Sequence, residues 1–208
     1  MEALVMQDTY TNPNPQTPTV HLHGAFANKD ATTCFALWAP DARKVAIRLG
    51  DEAKEIHKEH ELYPAGDGWY CVSLECEPGT TYSYIINNDL RVPDPAARAQ
   101  VSDVHGASRV VDQAYPWRCV TWQGRPWHEA IIYELHIGLL GGFAKAEEYL
   151  PQLVELGITA VELMPINEFP GSRNWGYDGV LPFAPESSYG TPEELKSLID
   201  TAHDLDLM

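Results

Sequence analysis

The sequence predicts a chain in two parts, an all-β sandwich followed by an α/β segment that reads as the start of a (β/α)8 barrel. Two observations carry this. Between Cys34 and about residue 112, short alternating apolar runs are punctuated by Ala-Pro-Asp, Gly-Asp-Gly and Pro-Gly at the spacing of a β-sandwich. After Glu129 the pattern changes to strand, helix, strand, helix, the repeating unit of a parallel sheet.

Residues 1–30 are rich in Thr, Asn, Pro and Gln, and Asn12-Pro13-Asn14-Pro15 favours extended or turn backbone, so this stretch reads as a loose leader. Residues 31–112 form the sandwich, with strands expected over 35–39, 45–49, 69–74 and 82–86. Asn87-Asn88-Asp89 reads as a hairpin turn into Leu90-Arg91-Val92, because Asn and Asp tolerate positive φ. Residues 113–128 hold Tyr115-Pro116-Trp117, Trp122 and Arg125-Pro126-Trp127, and read as an aromatic connector wedged between the two parts.

The segment 129–208 opens with a strand over 131–137, a helix over 143–156 stopped by Gly157, and a second strand over 159–164. Phe143, Ala146, Leu150, Leu153 and Val154 recur at helical spacing, while Pro151 is expected to kink that helix or open its second half. Thr191-Pro192-Glu193-Glu194 supplies an N-cap, a first-turn proline and a capping-box acid ahead of Leu195, Leu198, Ile199 and Ala202. A barrel of eight such units takes about 250 residues, so roughly a quarter of one is present. Met208 ends a helix where a third strand is expected, and the chain reads as the front part of a larger enzyme.

Thirty acidic against fourteen basic side chains leave a formal charge of −16, which repels nucleic-acid backbones and anionic membrane surfaces and favours a neutral or cationic ligand. The amino end has neither a basic start nor a long apolar run, and no stretch approaches the ~20 apolar residues of a membrane span, so cytoplasmic residence is expected. Cys34, Cys71, Cys76 and Cys119 lack Cys-x-x-Cys spacing and read as reduced thiols. His21 and His23 have no third ligand spaced nearby, and the glycine-rich stretch 138–142 lacks the Lys-Ser/Thr of a phosphate loop; no metal site is expected.

Glu134 and His136 share one face of the first α/β strand, and Glu162 and Met164 share a face of the second. Two carboxylates could serve glycoside hydrolysis, but mid-strand charges inside a barrel belong more often to satisfied networks, and catalytic groups come from the carboxyl ends of strands. The loop over 166–190 leaves such an end and runs far beyond the two to six residues a connection needs. Within it, Trp175 and Tyr177 offer apolar faces with polar edges suited to sugar rings, and Asn174, Asp178 and Arg173 offer directional hydrogen bonds. Trp175 and Phe183 could instead plug the barrel mouth, a reading ranked below the site.

Tyr133-Glu-Leu-His136, Glu162-Leu-Met-Pro165 and Asn174-Trp-Gly-Tyr-Asp-Gly179 resemble the opening of the catalytic barrel of the α-amylase superfamily, glycoside hydrolase family 13. Phe35-Ala-Leu-Trp-Ala-Pro40 is similar to its immunoglobulin-like amino-terminal domain, and the run from Asn174 to Gly190 resembles the maltooligosyltrehalose trehalohydrolases within it. The resemblance covers about residues 33–208. It implies an α-glucan substrate, hydrolysis of the α-1,4 bond next to the terminal trehalose unit of maltooligosyltrehalose, a retaining two-carboxylate mechanism and no cofactor. Tyr177 matches the tyrosine that stacks on the glucose at the cleaved bond, with Trp175, Asp178 and Asn174 beside it. The nucleophile and acid of the family come from later strands, so no catalytic residue is expected before Met208 and this chain alone is expected to be inactive. Leu139-Leu-Gly-Gly142 departs from the family's usual Gly-Thr-Phe version. Branching enzymes share the shorter motifs, and a carbohydrate-binding or scaffold module with an incomplete barrel is the non-enzymatic alternative.

Overall fold

A computed structural model describes residues 23–28, 31–51 and 56–208. Two antiparallel sheets face each other across one apolar core. The first runs in the order β1 (Gly24–Ala27), β2 (Thr32–Trp38), β6 (Trp69–Glu75), β5 (Tyr63–Gly66). The second runs β4 (Ile56–Glu61), β3 (Val45–Asp51), β7 (Thr81–Ile86), β8 (Leu90–Val92), with β9 (Ser108–Arg109) also on β7. Alternation decides what is buried: Val45, Ile47 and Leu49 of β3 and Tyr82 and Tyr84 of β7 meet Phe35, Leu37 and Val72 from the opposite sheet. At the hairpin between β7 and β8, Asn87 and Asn88 take φ of 53° and 71°, as their short polar side chains allow. The Asn87 side-chain oxygen also accepts the Arg43 and Lys44 amides at 2.8 and 3.2 Å.

The loose leader needs correction at its end, because β1 lies inside it. Its four residues pair with Thr33 to Ala36, Ala25 is buried, and the Arg98 guanidinium lies 4.1 Å over the Phe26 ring. The rest of that stretch, with His21 and the Asn-Pro repeats, lies outside the described residues; His23 is exposed and meets the Trp69 ring edge-on at 4.5 Å. The reading also missed β4, whose His57-Lys-Glu-His-Glu61 run has no apolar alternation and lies at a sheet edge, where charge is tolerated on both faces.

Beyond β8 the chain returns to β7 through β9 and is pinned by buried polar groups. Tyr82 donates its hydroxyl to Asp94 at 2.6 Å, Asp94 accepts the Ala96 amide at 2.8 Å, and the Asp94 amide donates to Ser108 at 3.0 Å. Burial pushes the Asp94 carboxyl above its ordinary range, against the pull of the Tyr82 hydroxyl and the Ala96 N–H.

In the second half, β10 (Ile132–Leu135) and β11 (Ala160–Leu163) pair in parallel, joined through α1 (Ile137–Leu140) and α2 (Phe143–Glu155). The first strand is shorter than the expected 131–137 because His136 turns to cap α1, its ring accepting the Leu139 amide. Helix α2 runs through Pro151 rather than opening there. Pro151 is exposed, and the buried stripe Phe143, Ala146, Leu150, Leu153 holds the helix on its core. Helix α3 (Pro192–Asp204) packs against α2 and starts with the expected capping box, Thr191 and Glu194 each accepting the other's backbone N–H. Met208 donates to Thr159 O at 2.9 Å and accepts from Val161 N at 2.7 Å, the bonds of a parallel neighbour on the free edge of β11. On β10, Ile132 and Tyr133 remain 48% and 39% exposed. Among the described residues no helix is long and apolar enough to cross a membrane.

The segment 113–128 is fastened to α3. The Asp200 carboxylate, fully buried, accepts the Arg118 and Cys119 amides at 3.0 Å each and the Arg118 Nε at 2.9 Å, while Trp122 stacks on His203 at 4.9 Å. Burial alone pushes Asp200 up, but these donors and the guanidinium charge outweigh it and hold the carboxyl below its usual value. The charged form is therefore favoured by folding, a stabilisation present above the unfolded value of 3.8 and lost as pH falls through the lower folded value. Asp200→Asn is expected to lower the thermal midpoint at pH 7, with the gap to the parent narrowing below pH ~4. Circular-dichroism melts across that range check it; a gap independent of pH would contradict the assignment.

Candidate functional site

The long loop leaves the carboxyl end of β11 and contains a small hairpin, β12 (Asn167–Glu168) with β13 (Leu181–Pro185). Its tip is stapled to the strand ends at two points. Gly176, at φ +99°, lies with its backbone flat on Pro165, and a Cβ there would overlap the Pro165 carbonyl oxygen. Asn174 supplies the second point. Its side-chain oxygen accepts the Gly176 amide at 2.7 Å, its side-chain nitrogen donates to Asp178 at 2.9 Å, and its carbonyl faces His136 Nε2 at 2.7 Å. Because His136 Nδ1 already accepts the Leu139 amide at 3.1 Å, Nε2 carries the proton and donates to Asn174. His136 thus ties the start of α1 to the aromatic loop.

Tyr189 closes the other end. It is buried, meets His136, Phe143 and Phe169 edge-on at 5.9, 6.1 and 5.7 Å, and accepts the Phe143 amide on its carbonyl at 2.8 Å. Gly138 permits this, since a Cβ there would come within 2.6 Å of the Tyr189 ring and 2.9 Å of the His136 ring.

Between the loop and α1 lies a cleft of about 590 Å³ lined by His136, Gly138, Leu139, Ser172, Arg173, Asn174, Trp175 and Tyr189. Of the four residues expected to bind, the structure brings Asn174 and Trp175 to this cleft, whereas Tyr177 and Asp178 do not line it. Trp175 and Tyr177 are 76% and 67% exposed, and Phe183 is 59% exposed. The lining combines apolar surface from Trp175 and Leu139 with hydrogen-bonding groups of Ser172, Arg173 and Asn174, and contains no carboxylate. That composition has the apolar faces and hydrogen-bonding groups that suit hydroxylated rings, but it cannot by itself perform two-carboxylate chemistry.

Glu134 and Glu162 are register partners on neighbouring strands and both are exposed. Neither side chain makes a hydrogen bond or ion pair among the described residues.

The sequence reading missed two buried acids. Glu168 accepts the Ser187 amide at 2.8 Å and lies 2.9 Å from the Ser187 hydroxyl, and Glu186 accepts the Phe169 and Ser188 amides at 3.0 and 3.1 Å. Burial pushes the Glu168 carboxyl up to about 7, with the Ser187 contacts opposing and the negative charges of Glu186 and Asp103 adding to it. A glutamate in a long polar loop ordinarily reads as solvated; only its apolar neighbours, Phe169 and Pro170, hinted otherwise.

Gly176→Ala is expected to cost at least about 2 kcal/mol and to detach the loop tip, because the side chain meets backbone at a positive φ. Faster proteolysis after Arg173, with the thermal midpoint lowered, is the expected reading; parent-like behaviour in both would mean the tip is not seated on Pro165.

Residues 18–97 match the family described as Carbohydrate-binding module 48 (Isoamylase N-terminal domain). The chain is 39% identical to a malto-oligosyltrehalose trehalohydrolase of Deinococcus radiodurans, over 85% of its own length and 29% of that protein. It is 37% identical to the enzyme of that name from Saccharolobus solfataricus, over 86% of this chain and 32% of that one. A 1,4-alpha-glucan branching enzyme GlgB of Aromatoleum aromaticum is also 37% identical, covering 84% and 31%. A Salmonella typhimurium crystal structure provisionally described as an alpha amylase superposes with a TM-score of 0.83 at 44% identity, covering 89% of this chain and 32% of that one. The chain spans about three tenths of the length of the curated relatives it matches. By sequence and fold, then, the chain is recognised as similar to the malto-oligosyltrehalose trehalohydrolases, with an all-β carbohydrate-binding module 48 domain ahead of its α/β half.

Proposed function

We propose that the protein to which these residues belong hydrolyses the α-1,4 bond next to the terminal trehalose unit of maltooligosyltrehalose, and that residues 129–208 are the first two βα units of its (β/α)8 barrel. The observation that carries the reading is the similarity to trehalohydrolases across both halves of the chain. Two structural facts support the barrel. The parallel β10–β11 pair is covered by helices on one side, and Met208 occupies a third parallel position on the free edge of β11.

In this reading the chain contributes binding rather than bond cleavage. Trp175 presents a ring face to the apolar side of a glucose unit, and Arg173, Asn174 and Ser172 offer hydrogen bonds to its hydroxyls. Tyr177 holds the glucose at the cleaved bond, with Asp178 fixing Asn174. The carboxylates of the retaining mechanism come from residues after Met208. An α-glucan transferase of the branching type is the second reading, and the Aromatoleum aromaticum relative is the observation in its favour.

The 208-residue chain is expected to release no trehalose from maltooligosyltrehalose. A version extended through a complete barrel should release it, and Tyr177→Ala in that version should lose more than about tenfold in kcat/KM, or ~1.4 kcal/mol of transition-state binding, with its melting unchanged. Product chromatography separates the outcomes. Free trehalose supports hydrolysis, longer or branched glucans without trehalose favour the transferase, and an unaffected Tyr177→Ala variant removes that residue from the site.

A further inference from the structure

The loop that carries the buried acids meets the β-rich half at the turn 101–107. Val104 of that turn packs with Leu181 and Ala184 of the β12–β13 hairpin, and the Ser187 hydroxyl lies 2.6 Å from the Ser102 carbonyl oxygen. The same hydroxyl lies 2.9 Å from Glu168 Oε1. A serine hydroxyl has one proton, and a carbonyl oxygen can only accept. If Ser187 donates to Ser102 across the shorter contact, the contact with Glu168 becomes a hydrogen bond only when Glu168 supplies the proton.

The surroundings agree. Glu168 and Glu186 are both fully buried, and among the described residues neither forms an ion pair. Glu186 after β13 has two backbone N–H donors and is provided for as a carboxylate. Glu168 has one N–H donor, and the charged groups acting on it, Glu186 and Asp103 of the turn, are both acidic. Two buried carboxyls side by side favour one charge and one shared or retained proton.

We propose that Glu168 is a neutral acid in the docked state, donating to Ser187 while Ser187 donates to Ser102, and that loss of its proton unlocks the turn 101–107 from the loop that bears Trp175. On ionisation the single Ser187 proton must choose between a carboxylate and the Ser102 carbonyl, and it goes to the charge. Docking is then at its strongest below the ordinary value of 4.5 and weakens as pH rises through about 7, the raised value of the folded state.

Carbon-13 NMR of the 208-residue chain labelled at glutamate carboxyls tests the proton, and amide hydrogen exchange of Val101 and Gly106, corrected for intrinsic base catalysis, tests the clamp. One glutamate resonance, absent in Glu168→Gln, should titrate near 7 rather than at about 4.3. Protection of the two amides should fall more than tenfold between pH 6 and 8.5 in the parent and stay level in Glu168→Gln, whose amide can donate to Ser187 at every pH. Ser187→Ala should give the low-protection behaviour throughout. Should Glu168→Gln fail to fold, Ser187→Ala identifies the resonance by displacing it. Every glutamate titrating in the ordinary range, or equal pH-dependence in parent and Gln variant, overturns the proposal.

Discussion

Parallel pairing of β10 with β11 is the constraint on which the second half of the chain depends. Parallel strands cannot be joined by a tight turn, so a crossover is required, and α1 and α2 supply it. The register, Ile132 with Ala160 through Leu135 with Leu163, then brings both carboxyl ends to one rim. His136 follows one strand and Pro165 the other, and these two residues hold the aromatic loop, one through a hydrogen bond to Asn174 and one through bare contact with Gly176. The cleft exists because the strands end together.

An acidic chain that folds must decide where its carboxylates go, and this one handles buried acids in distinct ways. Asp94 is held by a tyrosine hydroxyl and a backbone N–H, and it fastens the return segment onto β7. Asp200 takes the charged solution, with two amides and a guanidinium around it, and it fastens the aromatic connector onto α3. Glu168 and Glu186 accept backbone N–H groups without a cation, with the Ser187 hydroxyl beside Glu168, at the seam between the long loop and the turn 101–107. Each buried acid therefore joins two segments of the chain, Asp200 across more than 80 residues, where an apolar contact would have specified position less sharply. Most of the remaining negative charge stays on the surface, as at Glu134 and Glu162, where hydration costs nothing.

Much of the fold was legible residue by residue. Asn87 and Asn88 could take positive φ, and did; Thr191, Pro192 and Glu194 announced the start of α3; Gly157 closed the turn after α2. Local chemistry was enough for these because a residue's own tolerance of positive φ, or a cap partner within four residues, decides each of them. The excess length of the loop after β11 and its Asn174-Trp-Gly-Tyr-Asp178 core were also readable, and two of the four residues named there, Asn174 and Trp175, line the cleft. Helix α2 does not open at Pro151, because an exposed proline costs an α-helix one backbone bond and the buried stripe of α2 offsets it.

By itself, the sequence determined the change from short alternating strands to a strand-helix-strand-helix order, the capping of α3, the hairpin at Asn87–Asn88 and the presence of an aromatic loop at a strand end, all consequences of spacing along the chain. Only the tertiary structure decided that Gly24–Ala27 becomes a strand, that His136 leaves β10 to hold Asn174, and that Glu168 meets Ser187 and Ser102 in the interior. Those outcomes depend on partners up to 85 residues distant, and a side chain's charge, proton and partner are set by which remote groups remove it from water.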